Sequence, residues 1–109
     1  MLPKSLRLKE NTAFQKVFRQ GKPFFFNGLG CRVLGGYGDM KIGFSISKKM
    51  YSRAVDRNRA KRLLSDAVYK HLHDIPTDTG LIFFLSKKPE TLDNVNIEHG
   101  VTALIRNMR

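Results

Sequence analysis

Residues 40–72, MKIGFSISKKMYSRAVDRNRAKRLLSDAVYKHL, contain the clearest secondary-structure pattern in the chain. Over 40–47 apolar residues alternate with small or polar ones, which predicts a strand with one packed face. A basic connection follows, and from 52 to 72 apolar residues recur at helical spacing, which predicts a long amphipathic helix with Ser52 as its N-cap. Its predicted polar face includes Ser65. The predicted buried positions of this helix are Ala60, Leu63, Leu64, Ala67, Val68, His71 and Leu72.

Two further helices are predicted on either side of this unit. An apolar stripe at i, i+4 spacing predicts a first helix over 11–20, with Asn11 or Thr12 as its N-cap and Gly21 as a left-handed stop. The same type of pattern predicts a last helix over 94–108, in which Gly100 is a weak point.

The remaining strands are predicted from short apolar runs. Irregular strands are expected over 24–26 and 29–34, and a strand buried on both faces over 81–85. The Gly-rich segment 35–39 is expected to be a hairpin turn. The resulting order is αβββαβα, which predicts an α+β protein built as a two-layer α/β sandwich, with residues 1–109 forming a single RNA-binding domain.

The charge balance indicates a polyanionic partner. Twenty Lys and Arg residues against nine Asp and Glu give a formal net charge of +11 and a sequence pI near 10.2. Such an excess favours binding to nucleic acid, whereas solubility alone needs a net charge of only about 2–8.

The sequence contains a single cysteine and no long apolar segment. Cys31 is the only cysteine, so no intrachain disulfide can form and a reducing compartment is expected. No apolar run has the length of a signal peptide core or of a membrane span, so a cytoplasmic location is expected.

The basic residues are concentrated between 48 and 62. Seven of these fifteen positions are Lys or Arg, and Asp56 is the single acid among them. A solvated helix face is the alternative explanation, but such faces normally mix charges of both signs. The cluster covers the expected start of a helix, where free backbone N–H groups already attract phosphate, so a phosphate-binding surface is predicted.

The same residues carry a family resemblance. GFSISKK at 43–49, followed by AVDRNRAKR at 54–62, resembles the signature of the bacterial ribonuclease P protein component. RLK at 7–9 before the first helix and SKKP at 86–89 after the buried strand match as well. The resemblance covers nearly the whole chain and is weakest over 23–38 and in the last helix.

This resemblance implies a function in the maturation of the tRNA 5′ end. In that family a catalytic RNA with bound Mg²⁺ cleaves the precursor tRNA, so no catalytic residue and no metal ligand are expected in the protein, and no protein partner is required. It also implies a left-handed βαβ crossover, as in the second domain of ribosomal protein S5, although most such crossovers are right-handed.

Two sets of binding residues are implied by the resemblance. Phe14, Phe18 and Arg32 fall where the family binds the single-stranded 5′ leader, although relatives can carry an aromatic residue at the position of Arg32. A Phe pair on an apolar helix face could equally be simple core. The set implied for catalytic-RNA binding is Lys48, Lys49, Arg53, Arg57, Asn58, Arg59, Lys61 and Arg62.

Two other functions remain open from the residues alone. A ribosomal protein would share the size and the charge, and co-purification with ribosomes would favour it. A nuclease acting by itself would need a metal site or an acid/base pair. The acids are scattered, and His71, His73 and His99 do not have metal-ligand spacing, so structural or surface roles are expected for them.

Overall fold

One mixed four-stranded sheet and three α-helices make up the computed structural model, which describes residues 2–87 and 93–108. Short 3₁₀ turns lie at Lys4–Leu6 and Leu72–Asp74. The observed order confirms the predicted αβββαβα arrangement and the α+β class. The elements are α1 (Asn11–Gln20), β1 (Lys22–Phe26), β2 (Leu29–Gly35), β3 (Lys41–Ser45), α2 (Ala54–Lys70), β4 (Thr79–Leu85) and α3 (Asn94–Asn107).

The strand order across the sheet is β1-β2-β4-β3. β2 pairs antiparallel with both β1 and β4, whereas β3 pairs parallel with β4 and is the edge strand next to it. α2 therefore forms the crossover between two parallel neighbours. The left-handed sense of this crossover stays an implication of the resemblance.

The strand register gives the sheet two different faces. One face carries Cys31, Ile42 and Phe83, which belong to the fully buried core beneath α2 and α3. The sheet and these two helices form the two layers of the expected sandwich. The opposite face carries the alternate residues, among them Gly30 and Ile82, and α1 lies across part of it.

The predicted hairpin turn at 35–39 is wrong. β2 and β3 are not neighbours, because β4 lies between them. The tight hairpin joins β1 to β2 through Asn27 and Gly28, both with positive φ (47° and 84°), a conformation that Asn and Gly adopt more readily than other residues. The 35–39 segment instead crosses to β3 and is held by Asp78, whose backbone carbonyl accepts from the N–H of Gly36 at 3.0 Å.

The start and the polar face of α2 differ from the prediction. The helix begins at Ala54 rather than at 52, its N-cap is Arg53 instead of Ser52, and the Arg53 side chain makes no capping hydrogen bond. Ser65 is buried rather than on the polar face, because its Oγ accepts a hydrogen bond from the backbone N–H of Leu2 at 3.2 Å. The chain preceding α1 therefore covers this part of α2.

The predicted caps of α1 are wrong too. Glu10 is the N-cap, without a side-chain hydrogen bond, and Asn11 is already helical. Gly21 has an extended backbone with φ −71°, since the chain passes directly into β1. A glycine is needed there for space, because a Cβ would lie 2.5 Å from the carbonyl oxygen of Val17.

α3 and β4 agree well with the sequence. β4 is buried on both faces except for a half-buried Phe84. α3 ends at Asn107, one residue earlier than predicted. Gly100 was predicted to weaken this helix, but it lets the helix pack closely on the Leu29 side chain, which would lie only 3.0 Å from a Cβ at this position. Positions 88 and 89 of the SKKP motif lie outside the described residues. No helix in the described ranges is long and apolar enough to cross a membrane.

The thiol of Cys31 is expected to be unreactive in the folded protein. Its side chain is fully buried in β2, and burial raises the pKa of this thiol well above its ordinary range. Because the thiolate is the nucleophile, iodoacetamide at neutral pH should alkylate Cys31 only after unfolding in urea. Mass spectrometry of native and unfolded samples checks this, and rapid alkylation of the native protein would contradict the burial.

Candidate nucleic-acid interface

The residues predicted to bind the catalytic RNA come together at the start of α2. Lys48 and Lys49 lie in the turn after β3, and the others occupy the N-cap and the first turns of the helix. All are exposed except Arg57, which is half-buried. We call this set the α2 basic surface: Lys48, Lys49, Arg53, Arg57, Asn58, Arg59, Lys61 and Arg62.

Arg57 has a structural role within this surface. Its Nη1 donates hydrogen bonds to the backbone carbonyls of Tyr51 at 3.0 Å and Ser52 at 2.8 Å. These bonds hold the preceding loop against the first turn of α2. Part of the Arg57 guanidinium is therefore committed to the protein, whereas sequence reasoning gave it the same role as its neighbours.

The single acid in the cluster is already paired. Asp56 Oδ2 accepts from Arg53 Nε at 3.1 Å. The phenol of Tyr51 is nearby, and its pKa is raised by burial and by the charge of Asp56, while Arg59 acts in the opposite direction. The remaining cations of the α2 basic surface therefore face solvent with little local neutralisation.

A second surface lies on the sheet face that α1 only partly covers. The ring of Phe84 is 6.1 Å from the ring of Phe18 and 5.8 Å from that of Phe25, between centroids. Phe18 is 38 % exposed and Phe25 is 56 % exposed, so these rings face solvent. Gly30 makes the arrangement possible, because any Cβ there would overlap the Phe84 ring. The aromatic surface consists of Phe18, Phe25, Phe84 and Arg32.

Arg32 is part of the aromatic surface. Its guanidinium carbon lies 4.9 Å from the centroid of the Phe18 ring, within cation–π distance. Its Nε is buried and has no hydrogen-bond partner in the protein. The position therefore offers a planar cation beside an exposed ring.

Phe14 and Phe18 flank Val17, which is the fully buried anchor of α1. Phe14 is half-buried and packs over Gly43, where a Cβ would lie 3.0 Å from its ring. Together with Ser45, the two rings line a groove of about 370 Å³. The pair is thus not simple core, which was the alternative open from the sequence.

Sequence reasoning missed Phe25 and Phe84. The period-two pattern of 22–26 would have placed Phe25 on the face opposite to its two Phe neighbours. Phe84 gave no such signal, because it lies in an unbroken apolar run whose two faces cannot be distinguished.

The histidines lie away from both surfaces. His71 Nε2 lies 3.3 Å from Thr102 Oγ1 and 3.7 Å from Glu98 Oε1, which links α2 to α3. His99 stacks on Phe26, with 5.8 Å between centroids. Within residues 2–87 and 93–108, no group of three or more His, Cys, Asp or Glu side chains could hold a metal ion.

Comparisons with known proteins show the family to which the chain belongs. The family model for ribonuclease P matches residues 2–109. The ribonuclease P protein component of Finegoldia magna is 29% identical, covering 96% of this chain and 92% of that protein, and that of Chromohalobacter salexigens is 31% identical, covering 97% and 84%.

Solved structures share the fold. The ribonuclease P protein of Staphylococcus aureus superposes with a TM-score of 0.83 at 20% identity, covering 97% of both chains. That of Thermotoga maritima gives 0.80 at 18% identity, covering 94% of this chain and 97% of that one. The chain therefore belongs to the ribonuclease P protein family, the protein component of the endoribonuclease in which a catalytic RNA processes the 5′ end of tRNA.

Proposed function

We propose that the α2 basic surface binds the catalytic RNA of ribonuclease P and that the aromatic surface binds the 5′ leader of precursor tRNA. The observation that carries the first assignment is the exposed, uncompensated charge at the start of α2, whose single acid, Asp56, is paired with Arg53. RNA phosphates would replace the missing acidic partners of these side chains.

The start of α2 adds to the attraction. The side chain of the N-cap residue, Arg53, accepts no hydrogen bond from the backbone N–H groups of the first turn. These groups and the positive end of the helix dipole favour a phosphate at this position. Arg57 holds the end of the loop that carries Lys48 and Lys49 through the carbonyls of Tyr51 and Ser52.

The aromatic surface suits unpaired bases. Exposed rings of Phe18 and Phe25 can each stack one base, and Arg32 can stack its guanidinium plane or contact the backbone. Any of the four bases can stack on an aromatic ring. This suits a leader whose sequence differs from one precursor to another. The two surfaces are connected by β3 and the turn after it. Ser45, the last residue of β3, lines the groove of Phe14 and Phe18, and Lys48 follows three residues later.

The proposal also covers the Mg²⁺ ions of the reaction and the cellular location of the protein. We assign the Mg²⁺ of the reaction mainly to the RNA subunit, as the family resemblance implies. The protein would act in the cytoplasm, where precursor tRNA is made, without a further protein partner.

The test is cleavage of precursor tRNA by a bacterial ribonuclease P RNA at low Mg²⁺, with and without this protein, using leaders of different lengths. We expect the protein to restore cleavage, to favour longer leaders and to do nothing without the RNA. No effect on cleavage, combined with co-purification with ribosomes, would assign the protein to the ribosome instead. Cleavage by the protein alone would make it a nuclease in its own right.

Anions are expected to stabilise the isolated protein. The concentrated positive charge repels itself in the folded state, and phosphate bound only to that state shifts the unfolding equilibrium by mass action. Phosphate at about ten times its dissociation constant should raise Tm by roughly 5–10 °C for a domain of this size. Thermal unfolding in phosphate and in chloride of equal ionic strength checks this, and equal rises in both salts would indicate general screening only.

A further inference from the structure

A groove runs along the outer edge of β3, between the N-terminal segment (residues 2–9) and α2. Its volume is about 460 Å³, within the roughly 300–1,000 Å³ typical of pockets that hold small molecules. It is separate from the groove of Phe14 and Phe18, with which it shares no lining residue.

The walls of this groove are fixed by backbone contacts. Leu2 is only 2 % exposed, and its N–H donates to Ser65 Oγ of α2 at 3.2 Å. Arg7 Nε donates to the carbonyl of Leu2 at 3.0 Å, and the N–H of Leu8 donates to the carbonyl of Ile42 at 3.0 Å. The groove is thus formed before any ligand binds, which lowers the entropic cost of binding.

The lining combines an apolar floor with a cationic rim. Leu8, Ile42 and Phe44 contribute apolar surface, and Asn58 is the one side-chain amide among the described lining residues. None of those lining residues is acidic. The cations around the rim are Arg7, Lys9, Lys61 and Arg62.

The edge of β3 offers backbone groups to the same space. The N-terminal segment pairs with this edge through the bridge between Arg7 and Ile42 and then leaves it to enter α1. Every second residue of a strand directs its backbone N–H and C=O to the same side. Phe44, two residues after Ile42, therefore directs its N–H and C=O away from β4, into the part of the edge that the N-terminal segment leaves open. A planar polar molecule in the groove would meet donors and acceptors as well as apolar surface.

We propose that this groove binds one unpaired nucleotide of the catalytic RNA. The base would lie on the floor formed by Leu8 and Phe44 with its polar edge toward Asn58, while the flanking phosphates contact the cationic rim. Apolar surface plus an amide recognises a base, and the cations recognise its phosphates. The proposal rests on the proposed function and assigns to α2 a base-binding role in addition to phosphate binding.

The catalytic RNA, rather than the leader, is the source of this nucleotide. Asn58, Lys61 and Arg62 belong to the α2 basic surface, whereas the proposed leader surface lies on the sheet face under α1. An RNA backbone following the start of α2 would pass directly over the mouth of the groove.

The test is base-specific chemical probing of ribonuclease P RNA, free and saturated with protein. Wild-type protein should protect at least one unpaired base. Asn58→Leu keeps the branched shape and the number of side-chain heavy atoms but removes the amide, so it should restore the reactivity of that base about fivefold or more. Asn58 is exposed on a helix, so this variant is expected to fold. Arg59→Ala is the matched control on the same helix, because Arg59 does not line the groove: it should weaken binding but leave the protection unchanged at saturation.

Two results would overturn the proposal in distinguishable ways. If wild-type protein saturates the RNA and no protected base depends on Asn58, the groove binds no base, while the proposed function stands. If the protein does not bind the RNA at all, both proposals fail together.

Discussion

Replacing both Arg59 and Arg62 with alanine should weaken binding to ribonuclease P RNA by about a hundredfold near physiological salt. Both side chains are exposed on α2, and Asp56, the one acid between 48 and 62, is paired with Arg53, so each can bind a phosphate. A charge-assisted hydrogen bond contributes about 1.5–3 kcal/mol, and two such losses correspond to at least this factor. Filter binding or fluorescence anisotropy with labelled RNA measures the change.

The salt dependence separates phosphate binding from misfolding. Each lost phosphate contact should reduce the slope of log affinity against log salt by about one, so this variant should lose about two. Lys70→Ala/Arg106→Ala is the matched control, because it removes the same charge far from the start of α2. Equal weakening by the two variants would show that net charge, rather than the α2 basic surface, determines affinity.

Most of the fold could be predicted because the helices and strands have strong local patterns. β4 is a run of apolar residues buried on both faces, and α1 has an apolar stripe that ends at Gly21. The hairpin was predicted at the wrong place because the prediction relied on the number of glycines in 35–38. Asn27-Gly28 is the stronger turn signal in 23–38, and the hairpin forms there. The positive φ values of Gly36 and Gly38 occur in a loop that crosses to β3. Strand order is a property of the whole sheet, so no local sequence pattern contains it.

Helix ends were less predictable because tertiary contacts decide them. Ser52 is a good N-cap by type, but its carbonyl is taken by Arg57 and the helix begins two residues later. Ser65 was predicted to lie on the surface, but it is covered by Leu2, which is 63 residues away in sequence. Long-range contacts of this kind leave no periodic signal.

The candidate site was predictable in its charges but not in its aromatic half. Exposed cations of like sign form a run in the sequence, so the α2 basic surface could be found from 48–62 alone. The aromatic surface is assembled from α1, β1, β2 and β4, and its arrangement depends on Gly30, whose missing side chain leaves room for Phe84. Nothing near Gly30 in the sequence indicates this contact.

Removing two exposed rings should abolish most of the preference for long leaders. In Phe18→Ala/Phe25→Ala, the two rings beside Phe84 are lost, and a stacked base contributes about 1–3 kcal/mol per ring. We therefore expect the holoenzyme to bind long-leader precursor at least about tenfold more weakly, with little change for a precursor with a minimal leader. Single-turnover cleavage with the two substrates over a range of enzyme concentrations gives both affinities.

The exposure of these rings makes the result interpretable. Phe25 is 56 % exposed, so its loss should leave stability nearly unchanged, and Phe18→Ala alone provides a second variant if the double variant unfolds. Tyr69→Ala removes an equally exposed ring (50 %) from α2, outside the aromatic surface, and should leave the leader preference intact. Equal losses for long and minimal leaders in Phe18→Ala/Phe25→Ala would mean that these rings support the holoenzyme rather than bind the leader, because only leader contact depends on leader length.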